Sequence, residues 1–495
     1  MNADTRRLPL FAGVCGRHWQ VTMFGRHLIQ RAAVITTMAA MMLSFPMLTR
    51  AQELDPVVVV NDLQERTFRF FWETANRDNG LIPDRYPTGG ASSIAAVGFG
   101  LTTYPIGVER GYITREQARE RTLVTLQFLY GAPQGPEPQG TAGYKGFFYH
   151  FLDMRTGHRA MESELSTVDT AILLAGALFC QSYFDGAHAD EVEIRRLVEE
   201  IYRRVDWRWA QAKPPAITLG WSPEDGFLKY DWRGYNEAML IYLLALGSPT
   251  FSVEPGAWTE WTSTYDQHWG KLFGQEFLHF PALFGHQYSH VWIDFRGIRD
   301  AYMKRRGIDY FENSRRAVYA QQAYAVANPR SCRDYGATIF GLTASDGPAD
   351  VELSDNGLTF YTYTARGIDA TGTQDDCTVA PTAAIASIPF APEVAIPATV
   401  EMHRRYGKHI YAKYGFLGAF NRTFTFNVKL RHGRVIRDFG WVADDYLGID
   451  QGPIFAMIEN HRSALVWRVM RKNAYLRRGL ERAGFSGGWL AEPSE

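Results

Sequence analysis

Apolar residues recur at spacings of three and four along most of the chain, and the strict alternation of a half-buried strand is rare. Residues 57–75 place Leu63, Phe68, Phe71 and Trp72 on one helical face, and 92–110 follow the same period. Thr114 with Gln117 reads as a capping box opening a helix that runs to about Leu129. The same period predicts helices over 166–183, 190–203, 235–246, 258–273, 311–328, 392–406 and 454–470. Period-two patterning is confined to short pieces such as 423–429, ahead of His432-Gly433. The joining loops are rich in Gly, Pro, Trp and Asp.

A helical solenoid would show a repeat of about 20–50 residues, and the chain has none. The expected architecture is therefore all-α, a closed α/α toroid of helical hairpins whose loops form a cup at one end. Loops of that kind carry most binding chemistry.

The first 51 residues read as a separate leader. Arg26 and Arg31 precede an apolar run from Ala32 to Leu48, and Thr49-Arg50-Ala51 ends in small residues around an expected cleavage after Ala51. Met23 is the better start for such a signal. Residues 52–495 are then expected to form one domain, periplasmic or secreted and monomeric. The apolar stretches 171–179 and 238–246 are too short for a membrane span, which needs about 20 residues.

Composition narrows the partners. The 495 residues are 46% hydrophobic and 21% charged, which excludes disordered, collagen-like and disulfide-scaffold chains. Lys and Arg number 52 against 53 Asp and Glu, so no basic excess points to nucleic acid. The 13 Trp, 25 Tyr and 31 Phe supply flat rings beside many carboxylates, a mixture that suits sugars. Of the three cysteines after the leader, Cys180 lies in an apolar helical run, and Cys332 and Cys377 are available to pair in an oxidising compartment.

Several chemistries lack their motifs. Gly484-Phe-Ser-Gly-Gly488 is not a nucleophile elbow, Gly98-Phe-Gly100 lacks the third glycine of a dinucleotide loop, and neither a Walker loop nor a C-x-x-C pair occurs. No cofactor is expected. What remains is a set of acidic loops. Glu162-Ser-Glu164 leads to Asp169 at the entrance of an apolar helix, where an acid can equally be a cap. Glu237 opens another apolar helix, and burial there would raise its proton affinity, as a general acid requires.

His286, His290 and Asp294 recur every four residues, with Gln287, Trp292 and Arg296 among them. On one helix face they would grip sugar hydroxyls, serve an internal network or, less favourably, hold zinc; Gln287 stands where a zinc protease carries Glu. Asp346, the pair Asp375-Asp376, and Asp444-Asp445 with Asp450-Gln451 complete the acidic loops.

The runs 163–171, 235–239, 284–296, 341–348 and 448–453 closely resemble the glucoamylase-like proteins, which include the β-1,2-glucanases of glycoside hydrolase family 144. The similarity spans about 63–471. It implies an (α/α)6 toroid, a periplasmic or secreted location, and hydrolysis of β-1,2-glucan or sophoro-oligosaccharides, with inversion; no metal is expected. Glu164 and Glu237 match the acidic positions such enzymes need, joined by a late Asp that is either Asp445 or Asp450, of which Asp450 is taken. Asp169, His286, Gln287, His290, Trp292, Asp294, Arg296, Asp346, Asp376, Asp445 and Gln451 are the expected sugar-binding residues. Transglycosylation, phosphorolysis, metal-dependent hydrolysis or glucan binding without cleavage are the competing readings.

Overall fold

The computed structural model describes residues 54–353, 357–370 and 372–491, so the expected leader and its cleavage point lie outside the described residues. The longer helices are α1 (Pro56–Thr74), α2 (Ile94–Glu109), α3 (Arg115–Gly131), α4 (Thr167–Tyr183), α5 (Ala189–Arg203), α6 (Met239–Gly247), α7 (Tyr310–Ala327), α8 (Pro392–Ile410) and α9 (Gly448–Ser463).

They fall into two kinds. α2, α4 and α6 are buried on all sides, as their largely apolar sequences demand, and most of α9 is buried too, with Asp450, Gln451, Glu459 and Asn460 among its buried residues. α1, α3, α5 and α8 bury one stripe and leave a polar face to solvent. α2 packs on α4 and α9, while α3 and α5 pack on each other outside them. The α2–α4 crossing depends on two glycines. A Cβ on Gly98 would stand 2.4 Å from Ile172 O, and one on Gly176 only 2.0 Å from Gly98 O. The lone Gly98-Phe99-Gly100 is thus helix packing.

Caps fix the starts of these helices. Thr114 and Gln117 form the reciprocal box at α3, and Ser93 and Ser166 cap α2 and α4. Short antiparallel ribbons deliver the chain into the inner helices. Ala91–Ser93 pairs with Phe151–Asp153 before α2, and Leu165–Ser166 pairs with Gly220–Ser222 before α4. Tyr446–Leu447 pairs with Arg85–Tyr86 before α9. The fold is therefore largely helical with many short ribbons, not all-α.

Three expected elements differ in kind. The helix over 258–273 ends early; Trp269–Leu272 instead pairs with Gln275–Leu278 around Phe273-Gly274, both at positive φ. The strand over 423–429 is absent because Asn421 Oδ1 accepts the N–H groups of Thr423 and Phe424 and turns the chain. The last long helix starts at Gly448 and breaks at Ala464, whose φ is 54°.

The apolar core runs through the inner helices, and a smaller cluster gathers around Cys332, Cys377, Phe360, Phe424 and Trp441. Cys332 and Cys377 form a disulfide, and Cys180 is a buried free thiol. No described helix is long and apolar enough to cross a membrane.

Candidate active site

The N-terminal ends of α2, α4, α6 and α9 meet at a cavity of about 400 Å³. Ala95 comes from α2, Val168 and Asp169 from α4, Glu237 from the turn before α6, and Ile449 from α9. Arg85, His150, Phe284, Tyr288 and Tyr363 close the walls. Helix N-termini carry partial positive charge, which favours carboxylates placed there.

Glu237 sits in a turn held by Asn236, whose side-chain oxygen accepts from Ala238 N at 2.9 Å. The Glu237 carbonyl accepts from Ser289 Oγ, but its carboxylate Oε2 has no protein partner. Burial, reinforced by the charge of Asp169, pushes its pKa up to about 7. A sizeable fraction of Glu237 therefore holds its proton at neutral pH, which is what a general acid needs.

The opposite condition prevails beside it. His150 Nδ1 lies 2.9 Å from Glu164 Oε1, and Nε2 lies 3.7 Å from Asp169 Oδ2. Burial opposes a charge on this ring, but Asp169, Glu164 and Asp84 together raise its pKa to about 9. Burial alone would likewise raise Glu164, and contact with His150 more than offsets it, holding the carboxyl below its ordinary value. Glu164 reaches the cavity through His150. Asp169 also accepts from Ser166 Oγ, whose oxygen in turn caps α4 through Asp169 N.

A third group surrounds Asp450. This side chain is buried, its Oδ2 is unpartnered, and burial followed by the charges of Asp346 and Asp84 raises its proton affinity well above the usual range. Arg85 opposes that rise. Its guanidinium lies 3.0 Å from Asp346, 3.5 Å from Asp445 and 3.6 Å from Asp84. Thr88 N donates to Asp445 at 2.9 Å. Asp346 and Asp445 are thus already engaged, as partners of Arg85 at the edge of the cavity.

Several expected sugar ligands lie elsewhere. The chain over 284–296 is not one helix: a 3-10 turn ends at His286, a short helix spans Tyr288–Trp292, and Ile293 is extended. His286, His290 and Asp294 consequently share no exposed face. His286 Nε2 contacts Phe280 O, His290 meets Ser314, and burial lowers both rings to about 3, leaving them neutral. Trp292 stacks on Phe99 and donates to Thr102. Asp294 is paired with Arg296 and Arg471.

Gln287 donates to Ala383 O and Ser387, and Gln451 donates to Phe416 O. Asp376 is locked to Arg366, both fully buried. Among the described residues, no three His, Cys, Asp or Glu side chains are grouped as a metal would require.

The cavity also uses residues that sequence reasoning passed over: Asp84, Arg85, His150, Tyr288 and Tyr363. Asp84-Arg85-Tyr86 stands between Pro83 and Pro87, a charged loop of the kind that carries function, and that punctuation was the available signal. His150 between two Phe-rich ribbons offered none.

Fold and cavity together describe a largely helical protein with ionisable side chains gathered where its inner helices begin. A family model described as "Glycoamylase: Putative glucoamylase" matches residues 229–474, a span containing Glu237, Asp346 and Asp450. The crystal structure of a "putative glucoamylase" from Bacteroides uniformis is 30% identical, covers 89% of this chain and 100% of its own, and superposes with a TM-score of 0.76. The chain belongs to this glucoamylase-like family.

An endo-β-1,2-glucanase from Chitinophaga pinensis, solved with sophorotriose and glucose, is 26% identical. The match covers 88% of this chain and 100% of that one, with a TM-score of 0.76. An exo β-1,2-glucooligosaccharide sophorohydrolase from Parabacteroides distasonis is 27% identical over 472 residues and covers 89% of this chain. The chain spans 58% of the length of that curated relative.

Proposed function

We propose that the protein is a glycoside hydrolase that cleaves β-1,2-glucan or sophoro-oligosaccharides on an (α/α)6 scaffold. The observation that carries this reading is Glu237, a cavity-lining carboxyl with a free oxygen and a pKa near 7. Glu237 donates its proton to the glycosidic oxygen as the bond to the anomeric carbon breaks. Asp450 activates the water that adds to that carbon. What separates the two groups is Arg85: no cation is among the groups acting on Glu237, whereas at Asp450 Arg85 opposes the rise in proton affinity that burial, Asp346 and Asp84 produce.

The ionised Glu164 and the neighbouring Asp169 place negative potential where the sugar ring develops positive charge. Inversion follows from the resemblance, and the β-1,2 linkage is supported by the named activities of the Chitinophaga and Parabacteroides relatives. A periplasmic or secreted location is supported by the leader pattern and by the Cys332–Cys377 bond, which suits an oxidising compartment.

The test is a product profile on linear β-1,2-glucan set against laminarin and starch. Shortened β-1,2-glucan with the other two intact is expected. Binding without shortening would make the protein a glucan-binding module. Rearranged or phosphorylated products would make it a transferase.

A further inference from the structure

His150 joins three walls of the cavity. Its N–H donates to Glu164 O at 2.9 Å and its carbonyl accepts from Ile94 N at 3.1 Å, fixing the residue between the Glu164 loop and the start of α2. The ring lies flat on Phe151, with centroids 3.9 Å apart and planes 13° from parallel. From that seat one nitrogen meets Glu164 at 2.9 Å and the other faces Asp169 at 3.7 Å. The first contact is a hydrogen bond and the second an ion-pair distance, so a charged imidazole suits both carboxylates. Asp84 adds a third negative group, itself beside Arg85, and Arg159 acts on the far side of Glu164. Glu237 lines the same cavity.

We propose that His150 is a positioning residue for glycosidic cleavage: its imidazolium, hydrogen-bonded to Glu164 and facing Asp169, holds the two carboxylates in place, so that Glu164 does not compete for the proton Glu237 delivers. This rests on the reading of Glu237 as the proton donor. Like charges around one cavity ordinarily push a proton onto one member. A fixed cation between two of them removes that pressure, in keeping with the raised proton affinity of the ring and the lowered one of Glu164. The role requires no contact between His150 and the sugar.

The experiment compares His150→Gln, His150→Lys and Glu237→Gln with the wild type on β-1,2-glucan across pH. For folded His150→Gln, kcat is expected to fall on the order of tenfold to a hundredfold. KM should change little, and the acid limb of the pH profile should move toward neutrality. His150→Lys, which keeps a cation, is expected to recover part of kcat. Wild-type kcat and an unmoved acid limb in His150→Gln overturn the inference, provided Glu237→Gln is inactive. Should Glu237→Gln turn over normally, the underlying reading fails first, whatever His150 does.

Where the His150 variants do not fold, the wild-type chain supplies the measurement. Acylation of His150 by diethylpyrocarbonate, mapped by mass spectrometry and normalised to free imidazole, is expected to reach half its maximal rate at about pH 9. A midpoint near the ordinary value of about 6.5 overturns the inference.

Discussion

Arg85 donates to Asp346 at 3.0 Å across 261 residues of sequence, joining the ribbon that enters α9 to the loop that carries Ala344 and Tyr363. The same guanidinium reaches Asp445, and both aspartates are almost wholly buried. Removing the cation strips Asp346 of its partner, while Asp445 keeps its bonds from Thr88, and breaking a buried pair costs about 3–5 kcal/mol. Arg85→Leu is therefore expected to lose that much stability in urea unfolding and to lower activity. A loss under about 1 kcal/mol would mean that the contact behaves as a surface ion pair.

The pH profile follows from two groups moved in the same direction. Activity requires protonated Glu237, so kcat/KM should fall as pH rises through about 7. It also requires ionised Asp450, whose affinity is raised by burial and by Asp346 and Asp84, so the acid limb should lie above the ordinary aspartate value. The profile is then a bell whose acid limb is drawn toward neutrality. A plateau extending to pH 9 would remove Glu237 from the role of acid.

Asp376 separates a structural role from a sugar-binding one. Arg366 donates to it twice at 2.7 Å, and neither side chain meets solvent. Asp376→Asn is expected to cost about 3–5 kcal/mol while leaving KM for glucan unchanged. A raised KM in a fully stable variant would return Asp376 to the list of sugar ligands.

The Cys332–Cys377 bond closes a 45-residue segment bearing Asp346 and Tyr363. Replacing both cysteines by serine is expected to remove about 2–4 kcal/mol and to weaken glucan binding as the loop loosens. Denaturation curves and KM for the double variant check this. Unchanged values for both would show that the loop is held by its other contacts alone.

Legibility in the sequence followed the range of the interaction. Glu237 was readable because eight apolar residues follow Ala238, so burial of its surroundings was implied locally. The Thr114–Gln117 box and the edges of α2, α4 and α5 were local for the same reason. The four-residue spacing of His286, His290 and Asp294 misled because it presumes one helix, while the chain changes conformation at Gln287 and again at Ile293. Arg85 and His150 act through partners brought by ribbon pairing, and no spacing along the chain records those partners.

The most direct measurement is the turnover of linear β-1,2-glucan by Glu237→Gln, alongside a circular dichroism spectrum. Glutamine keeps the shape of the side chain but has no acidic proton to transfer to the leaving oxygen. A native spectrum with kcat reduced by roughly 10²–10⁴-fold is predicted. A native spectrum with near wild-type kcat would contradict the account.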